Sequence, residues 1–156
     1  DAAEFIGPWS DAALGFHQAA KFYYWPGVQE PASAEECVIN KAKWDALSPE
    51  LQQVIEVACT ATYAYSTAEY IVRNPIALKT LVEKNGVQVR KAPDDVLIAA
   101  GNAAGEIMAE LRQDSDPLVK KIADAYVAFR QNAIDNARYT ETAMANAREL
   151  PYKFAQ

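Results

Sequence analysis

The chain has 156 residues, 51% of them hydrophobic and 23% charged, with a formal net charge of −6 at pH 7. A chain of this length folding alone makes one domain and buries about 70% of its unfolded surface. The acidic balance argues against a nucleic-acid partner, which needs a concentrated positive field, and against an anionic membrane surface. It leaves room for a small anion, because one buried Arg can set the local charge of a pocket.

The first thirty residues gather Phe5, Trp9, Phe16, Phe22, Tyr23, Tyr24 and Trp25 among acidic residues, with no cluster of positive charge. Phe5-Ile6-Gly7-Pro8-Trp9 reads as a strand end running into a turn, and the aromatic opening as one wall of a site whose other wall lies elsewhere. His17 is expected on a short helix. Lys21 to Trp25 and Glu36 to Ile39 read as strands, closed by Pro26-Gly27 and by Asn40, with a loop over Glu30 to Glu35 between them. Lys41 to Leu47 predicts a short helix. Ser48, Pro49 and Glu50 then form a helix start, as N-cap, first helical position and dipole-complementing acid. Leu51, Val54, Ile55, Ala58, Thr62 and Tyr65 follow at helical spacing, and no breaker appears before Asn74-Pro75. A helix of about seven turns is longer than one core needs and suits a bridge between two lobes.

Asn74-Pro75 predicts a fresh helix start, and Asn85-Gly86 a left-handed stop. Val87 to Arg90 alternates as a short strand. Pro93-Asp94-Asp95 opens a helix with Val96, Leu97, Ala100, Ala104, Ile107, Met108 and Leu111 on one face, where close helix packing accounts for Gly101 and Gly105. Ser115-Asp116-Pro117 opens the last helix, expected to run to Leu150 before Pro151 stops it. Its Lys120, Lys121, Arg130, Arg138 and Arg148 read as a solvated face. The fold class is α/β, predominantly helical, with three or four short strands, too few to make a self-sufficient sheet. The organisation reads as cleft strands and loops over 1–47, a long helix over 48–74, and a helical remainder over 75–156. No run approaches the roughly 20 apolar residues of a membrane-spanning helix.

Catalysis finds little support. The lone His17 reads as a surface or packing residue, no nucleophile elbow or Cys-His pair is present, and His/Cys metal spacing and phosphate loops are absent. Cys37 and Cys59 suit either a disulfide in an oxidising compartment or two free apolar thiols. Tyr63, Tyr65 and Tyr70 read as packing residues on the long helix. Glu4 and Glu30 flank the aromatic segment. Their carboxylates suit either a hard cation held with carbonyl oxygens or a solvated loop surface.

Ala3-Glu4-Phe5-Ile6-Gly7-Pro8-Trp9-Ser10-Asp11, Leu14-Gly15 and Ala20-Lys21-Phe22-Tyr23-Tyr24-Trp25-Pro26-Gly27 together resemble one known family. They are similar to the C-terminal half of the periplasmic solute-binding proteins of tripartite ATP-independent (TRAP) transporters, in the branch that binds 2-oxo acids and other monocarboxylates. The resemblance continues through Asn40-Lys41 and Trp44-Asp45-Ala46-Leu47-Ser48 into the long helix. It implies a periplasmic-binding-protein-like fold of two lobes about a hinge, crossed by a long helix, with ligand in the cleft. An Arg carried earlier in such proteins pairs with the substrate carboxylate.

The resemblance further implies that a sodium or calcium ion lies beside the organic acid, held by the backbone carbonyl of Phe5 and by Glu30, with Glu4 adjacent. The family motif has Trp where Phe5 stands; Phe keeps the carbonyl and the stacking face but loses the indole donor. The implied protein is a periplasmic receptor that hands a small organic acid to a membrane permease without chemistry, and some relatives dimerise through C-terminal helices. A helical interaction module without a small ligand is the rival reading. A small enzyme, short of an acid or base here, is a further one.

Overall fold

The computed structural model describes residues 2–33 and 35–153. They form two units, Asp1–Pro93 and Asp94–Gln156, and Ala34 of the expected loop lies outside the described residues.

In the first unit the aromatic opening is helical where a strand end was expected. Helix α1 (Pro8–Ala13) starts because Pro8 supplies a pre-set φ at the first helical position, and the Asp11 N–H donates to the Gly7 carbonyl at 2.9 Å. A short helix α2 (Phe16–Ala19) carries His17, and strand β1 (Phe22–Trp25) follows, ending at a cis Trp25-Pro26 bond. The second expected strand, Glu36 to Ile39, does not form. Its backbone has no strand beside it among the described residues, and Val38 is 80% exposed, so neither a ladder nor burial fixes it as a strand.

Helix α3 (Lys41–Asp45) is capped by Asn40, whose side chain accepts from the Lys43 N–H. The long helix α4 (Pro49–Glu83) begins as the sequence predicts, with Ser48 accepting from the Leu51 N–H. It does not stop at Asn74-Pro75 but runs through Pro75 for a total of 35 residues. The lost hydrogen bond at Pro75 costs up to about 3 kcal/mol in a free helix, and tertiary contacts offset it. Asn74 does not cap a new helix; its Oδ1 accepts from the Trp9 N–H at 3.1 Å. Ser10 and Tyr70 share a hydrogen bond at 3.1 Å, Trp9 packs edge-on to Tyr70 at 5.2 Å, and the Arg73 guanidinium lies 4.7 Å from the Trp9 ring centre. Gly7 permits this approach, since a Cβ there would sit 3.3 Å from the Asn74 amide nitrogen.

After Gly86, at φ 69°, strand β2 (Gln88–Lys91) pairs with β1 in parallel, Phe22 opposite Gln88 and Trp25 opposite Lys91. A parallel pair needs a long crossover, and the chain between the strands, chiefly α4, supplies it. Among the described residues the sheet has two strands, not three or four, and Leu81 and Val87 are the buried apolar residues of this unit.

The second unit is helical: α5 (Asp94–Leu111), α6 (Pro117–Ala137) and α7 (Glu141–Arg148). Asp116 caps α6 by accepting from the Leu118 N–H at 2.7 Å, and Arg112 on the preceding turn pairs with Asp124 at 2.6 Å. The single helix expected up to Leu150 is broken near Tyr139. There the Tyr139 and Thr140 N–H groups bond three residues back, the tight 3₁₀ pattern. The Thr140 hydroxyl takes the Asn136 carbonyl and also engages Glu141. Gly101 and Gly105 meet no neighbour within 4 Å, so the close packing expected of them is not made here. Among the described residues no helix is long and apolar enough to cross a membrane.

Candidate functional site: a groove along the long helix

Helix α4 borders a groove of about 1100 Å³. Val54, Ala58, Thr62, Ser66, Tyr70 and Asn74 line it, and because a spacing of four advances about 40° per step around a helix of 3.6 residues per turn, this stripe winds around α4. Two stretches without regular structure also line it, Phe5-Ile6 and the residues Glu30 to Ser33 with Glu35 to Cys37. Phe5 and Glu30, separated in sequence by all of α1, α2 and β1, therefore meet the same cavity. Among the described residues no hydrogen bond takes the Phe5 carbonyl or the Glu30 carboxylate. A turn fixes Glu30 locally, its N–H donating to the Gly27 carbonyl at 3.3 Å.

The electrostatics of the groove are one-sided. Glu30, Glu35 and Glu36 line it, and no Lys, Arg or His does among the described lining residues. Two like charges 4 Å apart repel by about 4 kcal/mol at the effective dielectric of a protein surface, so a carboxylate ligand entering here needs a counter-charge. The donors available are hard oxygens, the type that sodium and calcium take. They are few. No group of three or more His, Cys, Asp or Glu that could hold a metal ion occurs among the described residues. Calcium takes six to eight oxygens, and the Phe5 carbonyl with Glu30 could supply only a part of such a set.

Glu4 is not among the residues lining the groove. Its charge acts instead on Tyr23, in a second constellation that sequence reading missed. Tyr23 donates its hydroxyl to Asp11 Oδ2 at 2.5 Å. Burial first, then this hydrogen bond, then the charges of Asp11 and Glu4 push the Tyr23 hydroxyl well above the usual tyrosine range. Asp11 is only 7% exposed, and its Oδ1 has no partner among the described residues. The His17 Nδ1 is also buried without one, and both residues line a small cavity of about 50 Å³ with Leu81 and Val87. No motif signals this arrangement, because Asp11 and Tyr23 come from different elements. Tyr63 and Tyr65, expected as packing residues, are 73% and 67% exposed, and Tyr63 lines the groove.

The chain belongs to the bacterial extracellular solute-binding protein family 7, whose model matches residues 1–114. It is 29% identical over 146 residues to the monocarboxylate 2-oxoacid-binding periplasmic protein of Nostoc sp., covering 94% of this chain and 40% of that protein. A TRAP transporter solute-binding protein from Bordetella bronchiseptica, crystallised as a mixed-occupancy dimer with copurified calcium and picolinate, is similar in structure, with a TM-score of 0.84 and 33% identity over 95% of this chain and 44% of that one. A TRAP periplasmic solute-binding protein from Pseudoalteromonas atlantica, with bound sodium and pyruvate, gives a TM-score of 0.73 and 28% identity over 92% of this chain and 43% of that one. The chain thus spans less than half the length of these relatives.

Proposed function

We propose that this chain contributes the α4 groove to a periplasmic TRAP-type receptor, which binds a 2-oxo acid or another small monocarboxylate together with a sodium or calcium ion and delivers it to a membrane permease. The observation that carries this reading is the meeting of Phe5 and Glu30 on one groove whose described charges are all negative. The cation neutralises both Glu30 and the ligand carboxylate, lowering the cost of removing either from water. Phe5 offers its carbonyl to the ion and its ring to the ligand face, and Val54, Ile55, Ala58 and Ile71 of α4 add apolar lining that excludes water. The relatives that bind calcium with picolinate and sodium with pyruvate support this ligand class. Nothing in the groove calls for chemistry on the bound acid.

Thermal denaturation of the full-length protein tests it. Pyruvate and longer 2-oxo acids, titrated with sodium or calcium present, should raise the melting temperature by mass action, and an unchanged transition with every acid and ion contradicts the proposal. A second copy of the receptor is the proposed partner for the stripe Leu118, Ile122, Tyr126 and Phe129, each more than half exposed on α6. Sedimentation of the same protein should show a dimer, and a monomer at every concentration removes that partner.

A further inference from the structure

Cys37 and Cys59 are distant in sequence but close in space. Cys37 lies in the irregular segment that also carries Glu30, and Cys59 lies within α4. Both line a hollow of about 610 Å³ beside Ile39, Trp44 and Ile55, and both also line the candidate ligand groove. The two are free thiols on exposed residues. They nevertheless interact: partial burial, and next a hydrogen bond with Cys37, push the Cys59 thiol above the ordinary thiol range.

We propose that Cys37 and Cys59 form an intramolecular redox couple, whose disulfide ties the Glu30 segment to the middle of α4 and fixes one wall of the groove. Its use in the cell rests on the periplasmic reading, since that compartment is oxidising; its chemistry rests on the proximity of the two thiols. The oxidant is a disulfide, small or protein-borne. The Cys37 thiolate attacks one sulfur of that oxidant, breaking its S–S bond and releasing one thiol, which takes up the Cys37 proton. Cys59 is then the resolving residue. It loses its proton, attacks the Cys37 sulfur in the mixed disulfide, and displaces the second thiol, which carries that proton away. Two protein thiols are oxidised and one external disulfide is reduced to two thiols. The closed loop contains α3 and the start of α4, so the bond restrains the unfolded chain and also holds the otherwise unpaired segment around Val38.

The test uses full-length protein, fully reduced, freed of reductant and incubated with oxidised glutathione, then alkylated under denaturing conditions and mapped by mass spectrometry. The expected result is a cross-link between the Cys37 and Cys59 peptides of one chain, with a melting temperature a few degrees above that of the reduced protein. Cys37→Ser and Cys59→Ser should each lose that rise and retain a glutathione adduct on the remaining cysteine. The proposal is overturned if both thiols are alkylated after oxidation, if each carries its own glutathione, or if the link joins two chains. Pyruvate titration of the reduced protein, run alongside, separates the two readings. A cross-link without a ligand response supports the couple and counts against the receptor, and a ligand response without a cross-link does the reverse.

Discussion

Asp11 of α1 and Tyr23 of β1 share a hydrogen bond, while Phe5 and Glu30 line one groove. Phe5 and Glu30 could be named because the family resemblance implies both as ion ligands, and both line the groove. Asp11 could not. Its burial follows from α1 docking on α4, and the partner of its side chain, Tyr23, comes from a strand placed by a sheet that closes only after α4. The Tyr23 hydroxyl is held above its usual range, so its neutral form contributes stability that is complete below about pH 10, the ordinary tyrosine value, and is lost as pH rises beyond it. Tyr23→Phe should flatten this alkaline decline in melting temperature. At neutral pH it should cost about 1–3 kcal/mol, because the buried Asp11 carboxylate loses its donor. A variant with the same alkaline slope as the parent shows that the Tyr23–Asp11 bond does not contribute in this way.

At the scale of elements, the start of α4 at Ser48 and its stop before Gly86 were legible, and the continuity between them was not. The Ser48-Pro49-Glu50 start is local chemistry, and the structure places it where the sequence does. The passage through Asn74-Pro75 is tertiary: that pair has the composition of a break, but α1 uses Asn74 as an acceptor and α4 continues to Glu83. The reverse happens near Thr140, where side-chain and three-residue-back bonds interrupt an apolar pattern that reads as one helix. Glu36 to Ile39 has strand composition without a described neighbour, and composition cannot supply one. Ser48→Ala should lower stability by about 1 kcal/mol through the lost cap. The Ser48 hydroxyl is also the main cause that holds the Glu50 carboxyl below its ordinary range. The stability linked to Glu50 is therefore present above the ordinary carboxylate range and fades as pH falls through the depressed value. In Ser48→Ala the Glu50 titration followed by NMR should move upward, and an unmoved titration contradicts the capping geometry.

The whole molecule is short of core. A 17.1 kDa chain exposes about 25,000 Å² when unfolded, and this one retains 13,020 Å². It therefore buries about half of its surface, where a chain of its size folding alone buries about 70% and two separate smaller units about 60%. Leu81, Val87 and Ala123 are the buried apolar residues among those described, while Val54, Tyr63, Ile71 and Ile76 of α4 stay more than half exposed. Faces of this kind need cover, and the relatives, of which this chain spans 40–44%, have length to provide it. The same reasoning applies to the groove, whose described lining holds three carboxylates and no base. The central claim is that a cation joins Glu30 to the ligand carboxylate. Calorimetric titration of pyruvate into the full-length receptor, wild type and Glu30→Gln, with sodium or calcium present or replaced by a bulky organic cation, tests it most directly. The account predicts binding by the wild type that weakens at least tenfold without the metal ion, and a Glu30→Gln variant that binds weakly under both conditions. Equal affinity with and without the ion, or a Glu30→Gln variant that keeps the wild-type ion dependence, contradicts it.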